Sequence, residues 1–312
     1  MEADVLAKLE SALGSRVERD VRLSHYTTYR VGGRAAVMVT VDGSDDLAKV
    51  HACLADRSVS VLVLGRGSNL LVSDAGFDGV VIRWGAMGES IEIPGNESAT
   101  DCVTVGAGAL LPIVARRTAH AGLTGFEWAV GVPGSVGGAV RMNAGGHGSD
   151  IAASLVDAEI FDLTTGRATT RSASELGLRF RGSNLHDTDV VVSARLGLTR
   201  GSASESLAAI DEIVRWRRVN QPGGQNAGSV FVNPVPGEVS ASELIDRVGL
   251  RGFRIGTAEV STKHANFIQA DENGRAADVR AVMTHVHDTV QSATGFDLRS
   301  EVRLVGFAED ES

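Results

Sequence analysis

Two glycine-rich segments of this sequence have the residue types that bring backbone into contact with a phosphate-bearing ligand. The longer one runs from Gly125 to Gly148 and reads GFEWAVGVPGSVGGAVRMNAGGHG. Glycine has no Cβ, so a ligand can lie directly against such a chain. Pro133 before Gly134 and Ser135 favours a helix start, where free N–H groups attract an anion. The segment is long for a plain loop and too apolar for disorder, and we therefore interpret it as a ligand-binding segment.

The shorter segment, GRGSN from Gly65 to Asn69, follows an apolar run that is typical of a buried strand. Leu70 stands where a dinucleotide fingerprint needs its third glycine, and the following LLV predicts a strand where that motif needs a helix. A Walker A loop is absent because no lysine follows a glycine, and Ser135 lies in PGSVG rather than in the GxSxG of a nucleophile elbow. The local pattern alone fits a plain turn as well as a ligand loop.

Charged side chains offer two further candidates for chemistry. Arg215, Arg217 and Arg218 end a predicted helix, where they form either a solvated helix terminus or an anion clamp, and charge alone does not separate these alternatives. His285 and His287 are two positions apart on a predicted helix and do not share a face. We therefore predict surface histidines and no metal site.

Composition limits the possible partners and the compartment. The chain has 312 residues, a formal net charge of −9 and two cysteines. An acidic protein does not attract nucleic acid or an anionic membrane over its whole surface, although a local arginine cluster can still hold an anionic substrate. Two cysteines build no disulfide framework, and the apolar runs have strand length. We expect a cytoplasmic protein with a small-molecule substrate.

Predicted strands and helices are mixed along the chain, and its strand–helix–strand opening resembles a nucleotide-binding unit. A helix is predicted over Ser202 to Arg218, with a capping box at Ser202 and Glu205. Its predicted buried stripe consists of Leu207, Ile210 and Val214. A second long helix is predicted from Ala276 to Thr294, and a domain boundary is placed near residue 200.

Seven blocks in order carry a resemblance that covers the chain from Thr27 to Phe307. They are TTYRVGGRA (27–35), VLGRGSNLLVSDAGFDGVVI (63–82), GVPGSVGGAVRMNAG (131–145), FRGS (180–183), AGSVFVNP (227–234), VSTKHANFI (260–268) and SEVRLVGF (300–307). This set resembles the UDP-N-acetylenolpyruvoylglucosamine reductase (UDP-N-acetylmuramate dehydrogenase, MurB) family, in its shorter, second-subclass form.

The resemblance implies a vanillyl-alcohol-oxidase/PCMH-type FAD-binding fold in two subdomains, followed by an α+β substrate-binding domain. The implied domains are residues 1–85, 86–199 and 200–312, the last ending in a C-terminal catalytic strand. FAD is expected to bind noncovalently, with NADPH as the reductant. The positions implied to line FAD are Tyr29, Gly65, Gly67, Ser68, Asn69, Gly131, Pro133, Gly134, Gly138, Asn143 and Gly145.

The implied reaction is reduction of the enolpyruvyl group of UDP-N-acetylglucosamine-enolpyruvate to UDP-N-acetylmuramate, a step of peptidoglycan precursor synthesis. In it Ser229 corresponds to the proton donor, which would act as a general acid. Arg181 and Glu301 correspond to the residues that hold and polarise the enolpyruvyl group. The resemblance also implies substrate contacts at Arg217, Asn233 and His264, which favours the anion clamp at Arg217, and we expect a monomer.

Two positions depart from the family pattern. Val232 stands where the family usually has a lysine, so one phosphate contact is lost or taken over by a neighbouring arginine. His147 stands where the family usually has a tyrosine. Two other functions stay open at this point: another FAD-dependent oxidoreductase of the same scaffold that acts on a different sugar or alcohol, and a flavin- or nucleotide-binding protein without turnover.

Overall fold

The structure, a computed structural model, describes residues 3–55, 58–95 and 101–307. In this part of the chain the α-helices are α1 (Ala3–Leu13), α2 (Ser44–Leu54), α3 (Leu111–His120), α4 (Val136–Met142), α5 (Ala203–Asn220), α6 (Ala241–Arg247) and α7 (Ala276–Thr294). The strands are β1 (Val17–Arg22), β2 (Arg34–Val41), β3 (Val61–Leu64), β4 (Leu70–Val72), β5 (Phe77–Trp84), β6 (Ile91–Glu92), β7 (Cys102–Gly106), β8 (Leu123–Thr124), β9 (Gly145–Gly146), β10 (Ser149–Asp150), β11 (Leu155–Asp162), β12 (Arg167–Ser172), β13 (Asp189–Gly197), β14 (Thr199–Arg200), β15 (Arg254–Ile255), β16 (Ala258–Val260), β17 (Ile268–Ala270) and β18 (Arg303–Val305).

Contacts divide the chain into two compact units, each built from separate stretches of sequence. The first unit comprises Met1–Arg19, Val37–Arg66 and Gly79–Arg217. The second comprises Asp20–Ala36, Gly67–Asp78 and Arg218–Ser312. The division into domains 1–85, 86–199 and 200–312 stays a prediction.

The core of the first unit forms on two sheets. A four-stranded sheet has the order β1-β2-β5-β3, with β3 parallel to β5, and a five-stranded sheet has the order β12-β11-β13-β7-β6. In the second sheet β11 pairs antiparallel with β12 and with β13. Helices α2 and α3 bury apolar side chains such as Leu47 and Leu111 in the same core. Covering a sheet with helices is how such a layer removes its apolar face from water.

In the second unit a separate core lies around α7 and a three-stranded antiparallel sheet in the order β15-β16-β17. The predicted long helix is confirmed at both ends, and its buried residues include Val279, Val282, Val286 and Val290. It ends at Gly295, whose φ of +77° is the left-handed conformation that glycine adopts without strain. Its first N–H groups are bound by the Asp74 carboxylate, which accepts from Ala276 N at 2.9 Å and from Ala277 N at 3.0 Å.

The segment after GRGSN is a strand, as predicted. β4 (Leu70–Val72) pairs in parallel with β18 (Arg303–Val305) in the second unit. A strand at this position confirms that GRGSN is not the start of a dinucleotide-binding βαβ unit, because that motif needs a helix after the glycines. The pairing also joins the GRGSN block to the last block of the resemblance.

Helix α5 corrects one prediction about burial. Ile210 is buried, but Val214 is 41% exposed, so the predicted stripe of Leu207, Ile210 and Val214 is wrong at its last member. The apolar contact continues through Ile213, which packs against the core one position earlier. Spacings of three and four residues both lie on one helix face, so the sequence pattern does not choose between them.

The predicted capping box of α5 is only half seen, because Ser202 Oγ accepts from Glu205 N at 3.4 Å and the return bond is absent among the described residues. By contrast, α6 has both bonds of its box, between Ser240 and Glu243.

Glu127 ties the glycine-rich segment to α5 inside the first unit. Its carboxylate accepts hydrogen bonds from Thr124 Oγ1 at 2.7 Å, Gly125 N at 2.9 Å and Ser206 Oγ at 2.5 Å. Burial disfavours the charged carboxylate, but the hydrogen bonds from Ser206, Thr124 and Gly125 outweigh it, and the pKa of Glu127 lies below its ordinary value. The ionised carboxylate therefore stabilises this part of the fold.

We expect Glu127→Gln to lower the free energy of unfolding at pH 7 by about 1–3 kcal/mol, because the amide group turns a donor toward groups that themselves donate. A carboxyl with a lowered pKa stabilises the folded state above its unfolded pKa of about 4.3, and that contribution is lost as the pH falls through the folded pKa. The variant should therefore lose less stability than the parent on acidification from pH 6 to pH 3. Chemical denaturation at several pH values measures both effects. Glu212→Gln on the exposed face of α5 is the control, and equal acid sensitivity of Glu127→Gln and the parent contradicts the assignment.

Candidate functional site

The glycine-rich segment is fixed by backbone pairing within the first unit. Residues Glu127–Gly131 form a 3-10 helix, and α4 begins at Val136, directly after the Pro133 turn, as predicted. However, the first two N–H groups of α4 are already used: Val136 N donates to Ala109 O at 2.9 Å and Gly137 N to Ala107 O at 2.8 Å. The prediction of free helix N–H groups is therefore wrong for these two positions.

The two glycine-rich blocks meet inside the first unit. A Cβ placed on Gly65 would lie 2.2 Å from Ser135 Oγ, so only glycine lets the end of β3 approach the start of α4 this closely. Gly138 lies one turn further along α4 and is exposed, and a Cβ there would meet nothing nearer than Ser135 Oγ at 3.5 Å. Pro133 is exposed and Gly134 is half-buried on the same segment. The Gly138 face therefore has room for a flat or extended group to lie against backbone.

The end of α4 leads into a tight hairpin. Asn143 closes the helix in the left-handed conformation with a φ of +41°, and its side chain is fully engaged. Its amide donates to Asp150 Oδ2 at 3.0 Å and its Oδ1 accepts from Ala152 N at 3.0 Å. Asn143 therefore shapes the loop with its side chain, and its backbone N–H caps α4 by donating to the carbonyls of Ala139 and Val140. Gly145 pairs with Asp150 across β9 and β10.

Arg181 lies at the second position of a two-residue turn that is closed by Arg179 and Gly182. Each of these two residues donates its N–H to the carbonyl of the other at 3.0 Å. Arg181 has a φ of +53°, a conformation that strains a residue with a Cβ and that clusters at functional sites. Its guanidinium donates to Gly145 O at 3.4 Å and lies 5.1 Å from the centre of the Phe180 ring. The structure thus brings one predicted catalytic side chain to a predicted FAD-lining glycine.

In the second unit three consecutive buried hydroxyl groups lie beside the second glycine of GRGSN. Thr28 N donates to Gly67 O at 3.1 Å, and a Cβ on Gly67 would lie 2.3 Å from Tyr26 O. The hydroxyls of Thr27, Thr28 and Tyr29 are buried and have no hydrogen-bond partner among the described residues. Burial also raises the pKa of Tyr29, which keeps its hydroxyl protonated. Buried polar groups are almost always hydrogen-bonded, so this segment has donors to spare for a bound group.

Backbone pairing in the second unit also brings Ser229 and Glu301 together. Glu301 N donates to Val230 O at 2.8 Å, the carbonyl of the residue directly after Ser229. Asn69 joins the same group through its amide, which donates to Glu301 O at 2.9 Å. Ser229, Glu301, Asn69 and the neighbouring Ser68 are all half-buried. Two predicted catalytic residues and one predicted FAD contact therefore share one backbone framework.

Asn266 is a residue of this framework that the sequence interpretation did not single out. Its Oδ1 accepts from Phe231 N at 2.9 Å and its Nδ2 donates to Phe231 O at 2.8 Å, while its own carbonyl accepts from Val230 N at 2.9 Å. Asn266 is buried and holds the segment directly after Ser229 by binding both backbone groups of Phe231. Its position inside the VSTKHANFI block was the available signal, but only His264 was selected from that block.

The predicted substrate contacts differ in how far their side chains are already used. Asn233 is exposed, and its Oδ1 accepts from Ala241 N at 3.1 Å at the start of α6, which leaves its amide nitrogen for a ligand. Burial and the charge of Arg251 lower the pKa of His264, and its Nδ1 accepts from Asn266 N at 3.3 Å. The neutral ring then carries its proton on Nε2. Arg217 is half-buried near the end of α5.

The two histidines of α7 have separate surroundings. His285 stacks on Phe253 with ring centres 4.1 Å apart. His287 instead lies between two carboxylates, with Nδ1 2.9 Å from Asp288 and Nε2 2.7 Å from Asp297. Among residues 3–55, 58–95 and 101–307, no cluster of three or more His, Cys, Asp or Glu side chains has the arrangement of a metal site.

In the first unit the open Gly138 face fits a phosphate-bearing cofactor, and in the second unit the orphaned hydroxyls can still accept or donate hydrogen bonds. The comparisons with known proteins define the class as an FAD-binding oxidoreductase. A family model described as an FAD binding domain matches residues 35–171. A second model, described as the C-terminal domain of UDP-N-acetylenolpyruvoylglucosamine reductase, matches residues 219–305. No helix in the described part of the chain combines the length and apolarity needed to cross a membrane.

Relatives over nearly the whole chain give the particular family. The chain is 42% identical over 295 residues to a UDP-N-acetylenolpyruvoylglucosamine reductase of Synechococcus sp. (strain RCC307), covering 93% of this chain and 94% of the relative. It is 38% identical to the enzyme of that name from Halalkalibacterium halodurans, covering 91% and 92%. The crystal structure of the Thermus caldophilus enzyme matches with a TM-score of 0.80 and 36% identity, over 93% of this chain and 99% of that one. The chain belongs to the UDP-N-acetylenolpyruvoylglucosamine reductase family.

A more distant likeness concerns the fold alone. The glucose dehydrogenase Phl p 4.0202 matches with a TM-score of 0.50 and 15% identity, over 70% of this chain and 50% of that one. The predicted family, the FAD-binding α+β fold, the FAD cofactor and the oxidoreductase class are confirmed. The roles of individual site residues stay predictions.

We expect Asn266→Ala to destabilise the second unit by about 1–3 kcal/mol, because it leaves the buried N–H and carbonyl of Phe231 unpaired. We also expect a lower kcat with little change in substrate affinity, since the variant moves Ser229 rather than a binding group. Chemical denaturation and steady-state kinetics measure the two effects. Gln291→Ala on the exposed face of α7 is the matched amide control. A variant with parental stability and kcat contradicts the positioning role.

Proposed function

We propose that this protein catalyses NADPH-dependent reduction of UDP-N-acetylglucosamine-enolpyruvate to UDP-N-acetylmuramate. The observation that supports this most is the shared backbone framework of Ser229 and Glu301, joined by the hydrogen bond from Glu301 N to Val230 O at 2.8 Å. A mere flavin-binding protein has no need of a hydroxyl and a carboxylate fixed on adjacent backbone. We further propose that the enzyme works as a monomer in the cytoplasm.

FAD would bind noncovalently, against residues of the glycine-rich segments. In the first unit, Gly65, Gly138 and Gly145 would offer backbone to the cofactor. When bound, FAD accepts a hydride from NADPH and supplies it to the enolpyruvyl double bond. The protein's own contribution is to bind and orient the substrate and to supply a proton and stabilising charge.

Ser229 would donate its hydroxyl proton to the substrate carbon that does not receive the hydride. A hydroxyl is a weak acid, but an enolate-like carbon is basic enough to take its proton. The reaction then balances: one hydride and one proton add across the double bond, and Ser229 regains its proton from solvent. General acid catalysis of this kind contributes on the order of 10²–10⁴-fold.

Arg181 and Glu301 would act on the charge that develops beside the substrate carboxylate. The strained φ of +53° at Arg181 and its hydrogen bond to Gly145 O fix the guanidinium in advance of the reaction. Arg217, Asn233 and His264 would bind the rest of the substrate. Val232 has no cationic group to offer, so we assign the phosphates to Arg217, which has no ion-pair partner among the described residues.

We expect Ser229→Ala to keep reduction of the flavin by NADPH and to slow re-oxidation by UDP-N-acetylglucosamine-enolpyruvate by about 10²–10⁴-fold, because only the second half-reaction needs the proton. Stopped-flow absorbance of the flavin under anaerobic conditions separates the two half-reactions. Ser292→Ala, an exposed serine of α7, is the control.

Each alternative function gives a different result in the same experiment. If both half-reactions of Ser229→Ala run at the parental rate, the proton-donor role is wrong. A parent protein that turns over another sugar or alcohol, but not the enolpyruvyl substrate, is a different oxidoreductase on the same scaffold. A yellow protein that NADPH does not reduce is a binding protein only.

A further inference from the structure

His147 occupies the apex of a two-residue hairpin turn in the first unit. Gly146 pairs with Ser149 across β9 and β10, so His147 and Gly148 form the turn. Both have positive φ, +53° and +83°, the combination that a type I′ turn requires. Histidine is among the side chains that tolerate this conformation better than most, which gives a physical reason for its presence here.

The turn places the imidazole over a predicted FAD-lining glycine and an aromatic ring. A Cβ on Gly131 would lie 2.7 Å from His147 Cδ2 and 2.8 Å from Nε2, so in this conformation the ring packs directly against Gly131. On α5, Trp216 meets the imidazole edge-on with ring centres 5.1 Å apart. The ring is exposed yet held from two sides.

Arg217 follows Trp216 and is a cation without a counter-ion in the described part of the chain. It is half-buried, and burial lowers its pKa. No carboxylate among residues 3–55, 58–95 and 101–307 forms an ion pair with it. A guanidinium held in this way is stabilised by an anionic ligand, and its planar fork suits a phosphate.

The charges around His147 are positive or already engaged. Burial and the charge of Arg217 lower the pKa of His147. On its own hairpin Asp150 binds the Asn143 amide, and on the preceding 3-10 helix the Glu127 carboxylate binds Thr124, Gly125 and Ser206. Arg181 adds a second guanidinium at Gly145 O. The free ring is therefore neutral at pH 7, and an anion that neutralises Arg217 favours its protonation.

We propose that His147 and Arg217 form one binding pair for the diphosphate group of the nucleotide substrate, and that the imidazole takes up a proton when this group binds. This inference rests on the proposed function for the identity of the ligand. His147 then adds a second, pH-dependent cation at a position where the family usually has a neutral tyrosine.

The test uses the FAD-loaded protein and UDP-N-acetylglucosamine, whose diphosphate diester does not titrate near neutral pH. Isothermal titration calorimetry at pH 7 in two buffers of different ionisation enthalpy measures the protons taken up on binding. We expect uptake of a fraction of one proton, and an affinity that tightens as the pH falls from 8 to 6. The gain in affinity can reach about tenfold for each unit by which ligand binding raises the pKa of the His147 imidazole.

Two variants separate this role from a structural one. His147→Gln should bind without proton uptake and with the same affinity from pH 6 to pH 8. Arg217→Gln should shift the titration of His147 in the ligand-free protein to higher pH, as followed by NMR of the imidazole Cε1–H. His120→Gln, an exposed histidine at the end of α3, should behave as the parent does.

The proposal is overturned if the parent binds this ligand without proton uptake, if His147→Gln takes up as much as the parent, or if the ligand does not bind at all. These outcomes are independent of the flavin half-reactions. The proton-linked pair can therefore fail while the reductase activity stands, and the Ser229 assay can fail while proton uptake is observed.

Discussion

The framework of this protein's second unit depends on the antiparallel approach of the backbone around Val230 to the backbone around Glu301. That pairing fixes the backbone of Ser229 and the backbone of Glu301 relative to each other. Asn266 reinforces it from a third segment by binding both backbone groups of Phe231. A reaction that needs a proton at one defined carbon benefits from such fixed positions, because small displacements of a catalytic group cost much of the rate.

In the first unit, side chains are positioned by residues with a strained, positive-φ backbone. Arg181, Asn143 and His147 all have positive φ, and each is held there by hydrogen bonds or packing of neighbouring residues. Such conformations persist only where the surrounding structure determines them, and they point the side chain in a direction that a regular element does not allow. The local backbone therefore depends on the positive φ of these non-glycine residues as well as on the glycines.

Sequence predicted the elements well where periodicity or end signals were strong. α7 was predicted at both ends because valines recur at helical spacing and Gly295 follows, and the strand at Leu70 followed from the failed fingerprint at GRGSN. The stripe of α5 failed at Val214 because spacing does not distinguish three residues from four. The site residues came from the resemblance, since a serine after a glycine or an arginine in a turn has no chemical signature of its own.

What the sequence could not supply was the partner of each polar group. The prediction of an anion site at the Pro133 turn assumed free N–H groups at the helix start. In the structure the N–H groups of Val136 and Gly137 donate to carbonyls within residues 107–109. No local sequence pattern indicates this pairing. Conversely, nothing in the sequence showed that the Thr27, Thr28 and Tyr29 hydroxyls lack partners within the described part of the chain. Because a buried polar group without a partner is costly, such atoms indicate a bound group more directly than glycine content does. Polar groups that the fold leaves without a partner are visible only once the pairing of all the other polar groups is known.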